Sequence, residues 1–214
     1  MAIKNRNEAQ ISNGAENLIS KPFSVHVKIQ GVQDILFHRW NDEAIQEKAA
    51  AKRGSEIKKT DDLESYIYRD DNGFISIPGR YPVRAIVEAG RNFTDPRSSR
   101  KTAKDLVQAA VMCDELYSPI LVNGQPTTDW DYEDRQRVCI MRSAITRTRP
   151  AFKKGWQVEF TLVSLVPEHI TPDFLRKLVD NAGLLIGLGD FRPTYGRFKV
   201  VNWEVLPYVS AEAI

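Results

Sequence analysis

The order helix, glycine loop, strand toward the C-terminal end constrains this chain more than any other feature. The helical segment has Thr171 at a capping position, Pro172 at the first helical position and Asp173 in the first turn, where its charge suits the helix dipole. Phe174, Leu175, Leu178, Val179 and Ala182 then fall on one stripe. "GLGDFRPTYGRFKV" follows over residues 187–200, and "RFKVVNWEVLP" reads as a final strand. Glycine loops that hold dinucleotides or nucleoside triphosphates run strand, loop, helix, so that the helix N-terminus receives the phosphate. Here the order is reversed, Arg192 stands where a third glycine belongs, and no Gly-Lys-Ser/Thr follows. Nucleotide-cofactor binding is thereby excluded, and no cofactor is expected. Two readings of the loop stay open. Gly187, Gly189 and Gly196 let the backbone approach a ligand while Arg192 and Arg197 hold phosphates; or Gly187 or Gly189 ends the helix and Gly196 relaxes a turn.

Upstream, "FSVHVKIQ" alternates strictly, Phe23, Val25, Val27 and Ile29 against Ser24, His26, Lys28 and Gln30, which predicts a half-buried strand. Asn41 or Asp42 can cap a short helix before a charge-dense insertion at 52–62. "ESYIYRDDNGFISIP" predicts a hairpin turning at Asn72-Gly73. "GRYPVRAIVEAGRNF" predicts an amphipathic helix with Val83, Ile86, Val87 and Gly90 inward and Arg84, Glu88 and Arg91 outward. A basic loop at 94–104 precedes a second helical pattern, "KDLVQAAVMCDEL"; strand-like runs then flank "SAITRTRPAFKKG", and Trp156, Val158, Phe160 and Leu162 alternate in the later one. Reduced to its core, the order is strand, helix, strand, strand, helix, strand. That is an α+β, ferredoxin-like (RRM-like) βαββαβ core, an antiparallel sheet covered on one side by two helices. Residues 22–208 are expected to form one such domain, with insertions around 41–77 and 94–155, a flexible arm at 1–21 and a tail at 209–214.

The 214 residues carry a net charge of only +2, too little for a general attraction to polyanions, so a nucleic-acid reading depends on where the charges cluster. No apolar run is long enough to span a bilayer, and the polar N-terminus does not read as a signal peptide, so a cytoplasmic location is expected. Cys113 and Cys139 lie in no CxxC or Cys/His cluster, which leaves free thiols and no metal site as the expectation. The cations do cluster. Arg142, Arg147, Arg149, Lys153 and Lys154 are interleaved with Phe152 and Trp156, and Arg97, Arg100, Lys101 and Lys104 form a second group. Cations that track a backbone and rings that stack on bases are what a single-strand binder needs, with Phe152, Trp156 and Tyr195 as stacking candidates. Lys28, Arg39, Arg80 and Arg84 join the candidate contacts. A solvated hairpin with incidental charges is the alternative.

Two segments together resemble a known family. "FISIPGRYPVRAIVEAG" resembles the Ile-Pro-Gly segment that opens the first helix of RAMP-superfamily proteins, and "AGLLIGLGDFRPTYGRFKV" resembles their C-terminal glycine-rich loop. Style and order are similar to the CRISPR backbone subunits that polymerise along guide RNA, with a phage or prophage-encoded relative as a variant. The chain departs from the pattern in Arg80-Tyr81-Pro82, where small hydroxyl residues are usual, and in the inserted Asp190 to Pro193. The resemblance implies RNA-backbone contacts at Gly79, Arg80 and Arg84 and at Gly187, Gly189, Arg192, Gly196 and Arg197. It also implies a thumb-like hairpin, within either "MRSAITRTRPAFKKGW" or 94–136, and head-to-tail homo-oligomers in a ribonucleoprotein. Some relatives cleave RNA. Here His26, His38 and His169 form no pair at a spacing that suits acid-base work, so no catalytic residue is assigned. Single-stranded DNA binding or annealing, and mimicry of a CRISPR subunit through protein contacts, stand as alternatives.

Overall fold

The computed structural model describes residues 21–39, 50, 62–140 and 143–208. The expectations for the arm before Lys21, the helix capped at Asn41 or Asp42, the insertion up to residue 61, Arg142 and the tail beyond residue 208 lie outside them.

The alternating run at the start is β1, Phe23–Gly31, with Val25, Val27 and Ile29 fully buried. It lies inside the main sheet, one strand in from the edge. On one side it pairs antiparallel with β12, Gln157–Ser164, and on the other with β13, Phe198–Pro207. Beyond β12 come β8, Tyr117–Val122, then β4, Ile75–Pro78, and β3, Tyr68–Arg69, all antiparallel. Helices α1, Arg80–Ala89, and α3, Pro172–Asn181, bury Ala85, Ile86, Leu175, Leu178 and Val179 in the same core as Val25, Val27, Ile29, Phe160 and Leu162. Each of the Val, Leu, Ile and Phe side chains among them contributes about 1.5–3 kcal/mol on leaving water, which is what fixes the helices to the sheet. The expected cap is present: the Thr171 hydroxyl accepts from the Phe174 N–H at 3.3 Å. Among the described residues no helix is long and apolar enough to cross a membrane.

The structure corrects several boundaries. The pattern from Lys104 onward is helical only over α2, Lys104–Ala110, and Val111–Cys113 is a short strand, β7, on β12. β8 pairs with only Gln157 and Val158, so β12 has an open edge at Leu162–Ser164, and β7 fills it. The basic segment at 98–102 is a strand, β6, Ser98–Thr102, paired with β5, Thr94–Asp95. At the first hairpin only Gly73 takes a positive φ, +83°; Asp70 Oδ1 accepts from the Asn72 and Phe74 N–H groups and shapes the rest of the turn.

The largest correction concerns the basic stretch expected to be a connection. It is strand β11, Ser143–Phe152, which forms a long two-stranded ribbon with β10, Tyr132–Ile140. The alternating, Thr-rich run Thr146-Arg147-Thr148-Arg149 suits a pleated strand. The ribbon is joined to the body through β2, Ile35–Leu36, which pairs with Ala151 and Phe152.

Candidate nucleic-acid interface

Helix α1 starts at a buried Gly79, where a Cβ would strike the Glu115 carbonyl, so the first turn lies tight against the chain before β8. That fixes where its exposed first-turn arginine emerges. Arg80 donates to the Tyr68 hydroxyl at 2.8 Å and lies 5.3 Å above that ring, with Arg39 at 4.9 Å from the same ring. Tyr68 and Tyr81 meet edge to face at 5.9 Å. Burial, then the hydrogen bond with Tyr68, push the Tyr81 phenol far above its ordinary range, against a smaller pull from Arg80 and Arg192. Tyr81 therefore stays neutral beside two cations from two different segments.

The second of those segments is the glycine loop. A π-type turn, Ala182–Ile186, ends at Gly187 with φ +78°, and the Gly187 N–H bonds to the Ala182 carbonyl at 2.8 Å. The loop closes on itself through Leu188 N–H to the Gly196 carbonyl, 2.9 Å. It is pinned to the residues after β1 by Gly196 N–H to the Asp34 carbonyl, 2.7 Å, and Asp190 N–H to the Leu36 carbonyl, 2.9 Å. Gly196 has φ +77°, and any Cβ there would run into the Leu188 carbonyl. Gly187 and Gly196 thus have a scaffold role in the chain's own packing.

The inserted Asp190 to Pro193 has a physical explanation. Arg149 of β11 is only 5% exposed; its Nε donates to Asp190 Oδ2 at 2.6 Å and its guanidinium lies 4.3 Å from the Phe191 ring centre. Gln136 of β10 donates to the Tyr195 hydroxyl at 2.6 Å. The insertion therefore bolts the ribbon to the glycine loop. Asp34 ties the base of the ribbon, accepting from the Tyr132 hydroxyl and the Lys154 N–H, each at 2.7 Å.

The two segments that carry the family resemblance meet in space. Tyr81 and Arg84 of α1 and Leu188, Gly189 and Arg192 of the loop enclose a cavity of about 170 Å³. Arg84 also lines a cavity of about 430 Å³ that runs along α1 toward Lys104, and another of about 580 Å³ against Asp190, Phe191 and Arg192. Arg80, Arg84, Gly189 and Arg192 are thus the sequence-derived site residues that the fold brings together.

Others stand elsewhere or are engaged. Lys28 pairs with Glu159 at 2.8 Å on the polar face of the sheet, where His26 lies 3.7 Å from the same carboxylate. Arg97 is held by Asp95 at 2.8 Å, which pulls that carboxyl down to about 2. Arg100 and Lys101 are exposed on β6, and Lys153 and Lys154 at the turn after β11. Arg147 Nη1 is 2.7 Å from His38 Nε2, and the half-buried Arg197 uses its carbonyl to accept from Val32. Three assignments are corrected. Phe152 is fully buried against Phe37, and Trp156 is packed on Gly31 with its indole N–H on the Gln33 carbonyl, so neither can stack on a base. Arg149 is an interior cation committed to Asp190, not a surface phosphate contact. Sequence reasoning missed the roles of Tyr68, Tyr81 and Phe191; the adjacency of Tyr81 and Phe191 to Arg80 and Arg192 was the available signal. Among the described residues no group of His, Cys, Asp and Glu is arranged to hold a metal ion.

No protein-family model matches the chain, and no curated protein matches its sequence. Among solved structures, it is similar to a chain of the Type III-B Cmr-beta complex bound to cognate target RNA, with 15% identity, a TM-score of 0.50, and coverage of 96% of this chain and 68% of that one. A chain of the Csm3-Csm4 subcomplex of the type III-A CRISPR-Cas interference complex matches with 13% identity and a TM-score of 0.36, covering 91% and 84%. The first likeness is one of fold.

Proposed function

We propose that this protein binds single-stranded RNA through the sugar-phosphate backbone, without catalysing a reaction, as a repeated subunit of a CRISPR-like ribonucleoprotein. The observation that carries the reading is the cavity in which Arg84 of α1 and Arg192 of the glycine loop face one space beside a neutral Tyr81. Forked guanidinium donors next to aromatic surface suit phosphates in a flexible strand. The fold likeness to a subunit of an RNA-bound type III-B complex supports RNA as the polymer. The antiparallel strand order β13-β1-β12-β8, with α1 and α3 in the core, supports the ferredoxin-like reading. The non-enzymatic part rests on the sequence, in which His26, His38 and His169 form no pair at a spacing that suits acid-base work. Head-to-tail assembly and a phage or prophage setting come from the RAMP resemblance.

The test is fluorescence polarisation with labelled single-stranded RNA, single-stranded DNA and duplex across a salt series. Single-stranded RNA should bind best. Arg84→Ala with Arg192→Ala should weaken it at least about tenfold and reduce the salt slope by about 1.4, two phosphates at roughly 0.7 each. Absence of RNA binding at low salt overturns the reading; a preference for DNA replaces it with the DNA-binding one.

A further inference from the structure

The larger cavity beside Arg84 holds a feature that backbone binding does not use. Phe191 sits at its wall, 37% exposed, with φ +54°, a conformation unfavourable for a bulky residue and held here by the loop around it. Arg149 lies against the ring at 4.3 Å and is itself 95% buried, so the ring is backed by a fixed cation and lines the cavity. Leu185, Ile186 and Pro193 give the cavity apolar surface; of its charged lining residues Glu88 is paired with Arg91 at 3.1 Å and Asp190 with Arg149 at 2.6 Å, while Arg84 and Arg192 supply positive charge. At about 580 Å³ it falls within the range that takes a small organic ligand. A partly exposed aromatic ring, apolar walls and two guanidinium groups match a single nucleotide: a flat base, a ribose and one phosphate.

We propose that this cavity seats one nucleotide of the bound strand, its base stacked on Phe191 and its phosphate held by Arg84 and Arg192. The inference rests on the single-stranded RNA reading and adds a base contact to it. The insertion Asp190 to Pro193 is then what supplies a stacking platform: Asp190 fixes Arg149, Arg149 backs Phe191, and Arg192 holds the phosphate next to it.

The experiment compares a labelled oligouridylate of about twelve nucleotides with an abasic ribose-phosphate strand of the same length, by polarisation, for the wild type, Phe191→Leu and Phe191→Tyr. The wild type should bind the base-bearing strand about tenfold more tightly than the abasic one. Phe191→Leu keeps an apolar cover on Arg149 and should lose most of that preference by weakening only the base-bearing complex, with the salt slope unchanged. Phe191→Tyr should retain the preference, which separates loss of stacking from loss of fold. If the wild type binds both strands equally, or Phe191→Leu keeps the full ratio, the stacking site is overturned while the backbone reading stands. If the wild type binds neither strand, both fall.

Discussion

Asp190→Ala tests the bolt between ribbon and glycine loop. In the native chain Arg149 is 5% exposed; among the described residues its one carboxylate contact is the 2.6 Å bond to Asp190, and its Nη1 has no hydrogen-bond partner. Removing the carboxylate leaves a buried cation without its counter-charge, a change that costs about 3–5 kcal/mol in closed sites. Asp190 is 35% exposed, so water can enter where its carboxylate stood, and about 2–3 kcal/mol is expected here. For a chain of this length that lowers Tm by roughly 4–12 °C. Arg149→Met leaves Asp190 able to hydrate and keeps a flexible apolar chain against Phe191, so it should cost only about 1 kcal/mol. The double variant should resemble Arg149→Met, giving a coupling of about 2–3 kcal/mol, equal to the cost of Asp190→Ala alone. Urea denaturation followed by far-UV circular dichroism on the four proteins measures the cycle. An Asp190→Ala variant within about 0.5 kcal/mol of wild type, or no less stable than Arg149→Met, refutes the argument.

Other consequences can be checked in the same way. Thr171→Ala removes the acceptor for the Phe174 N–H and should lower stability by about 1 kcal/mol, read by urea denaturation. Gly196→Ala forces a Cβ onto the Leu188 carbonyl at φ +77° and should cost more than about 2 kcal/mol, with altered Tyr195 fluorescence or amide signals in the 187–196 loop. The Asp95 carboxyl lies below its ordinary 3.8, at about 2, because of Arg97. A depressed carboxyl stabilises above its ordinary value and loses that contribution as pH falls through its folded value. Tm measured from pH 5 to pH 2 should therefore fall less steeply in Asp95→Asn than in wild type. Burial first, then Glu115, push the Cys113 thiol up to about 12, so at pH 8 it should react with iodoacetamide far more slowly in the folded protein than in urea.

What could be read from the sequence was what local period and punctuation encode. β1 and β12 follow from alternation, α1 and α3 from apolar stripes, the α3 start from Thr171-Pro172, and the glycine segment from its place between helix and final strand. What was hidden depends on partners distant in the chain. Nothing in "TRTRP" separates Arg147, beside His38, from Arg149, whose partner lies 41 residues away. The charges around Phe152 and Trp156 suggested a solvated loop, yet both rings are drawn into the core by β2 and by Gly31. α2 ends where the edge of β12 competes for Val111–Cys113, a contest that helix propensity cannot register. At the site, Arg80, Arg84, Gly189 and Arg192 were legible, whereas the wall supplied by Tyr81 and Phe191 required the fold.

Helix α1 has no idle side. Pro82, Ala85, Ile86, Val87 and Ala89 are core, while Arg80, Tyr81, Val83, Arg84 and Glu88 line the cavities. An ordinary amphipathic helix has an outer face on which substitutions accumulate almost freely; here all ten positions carry either packing or a cavity wall. In the currency of sequence evolution this one helix is saturated with information, and a lineage that keeps the groove has almost nowhere along it to drift.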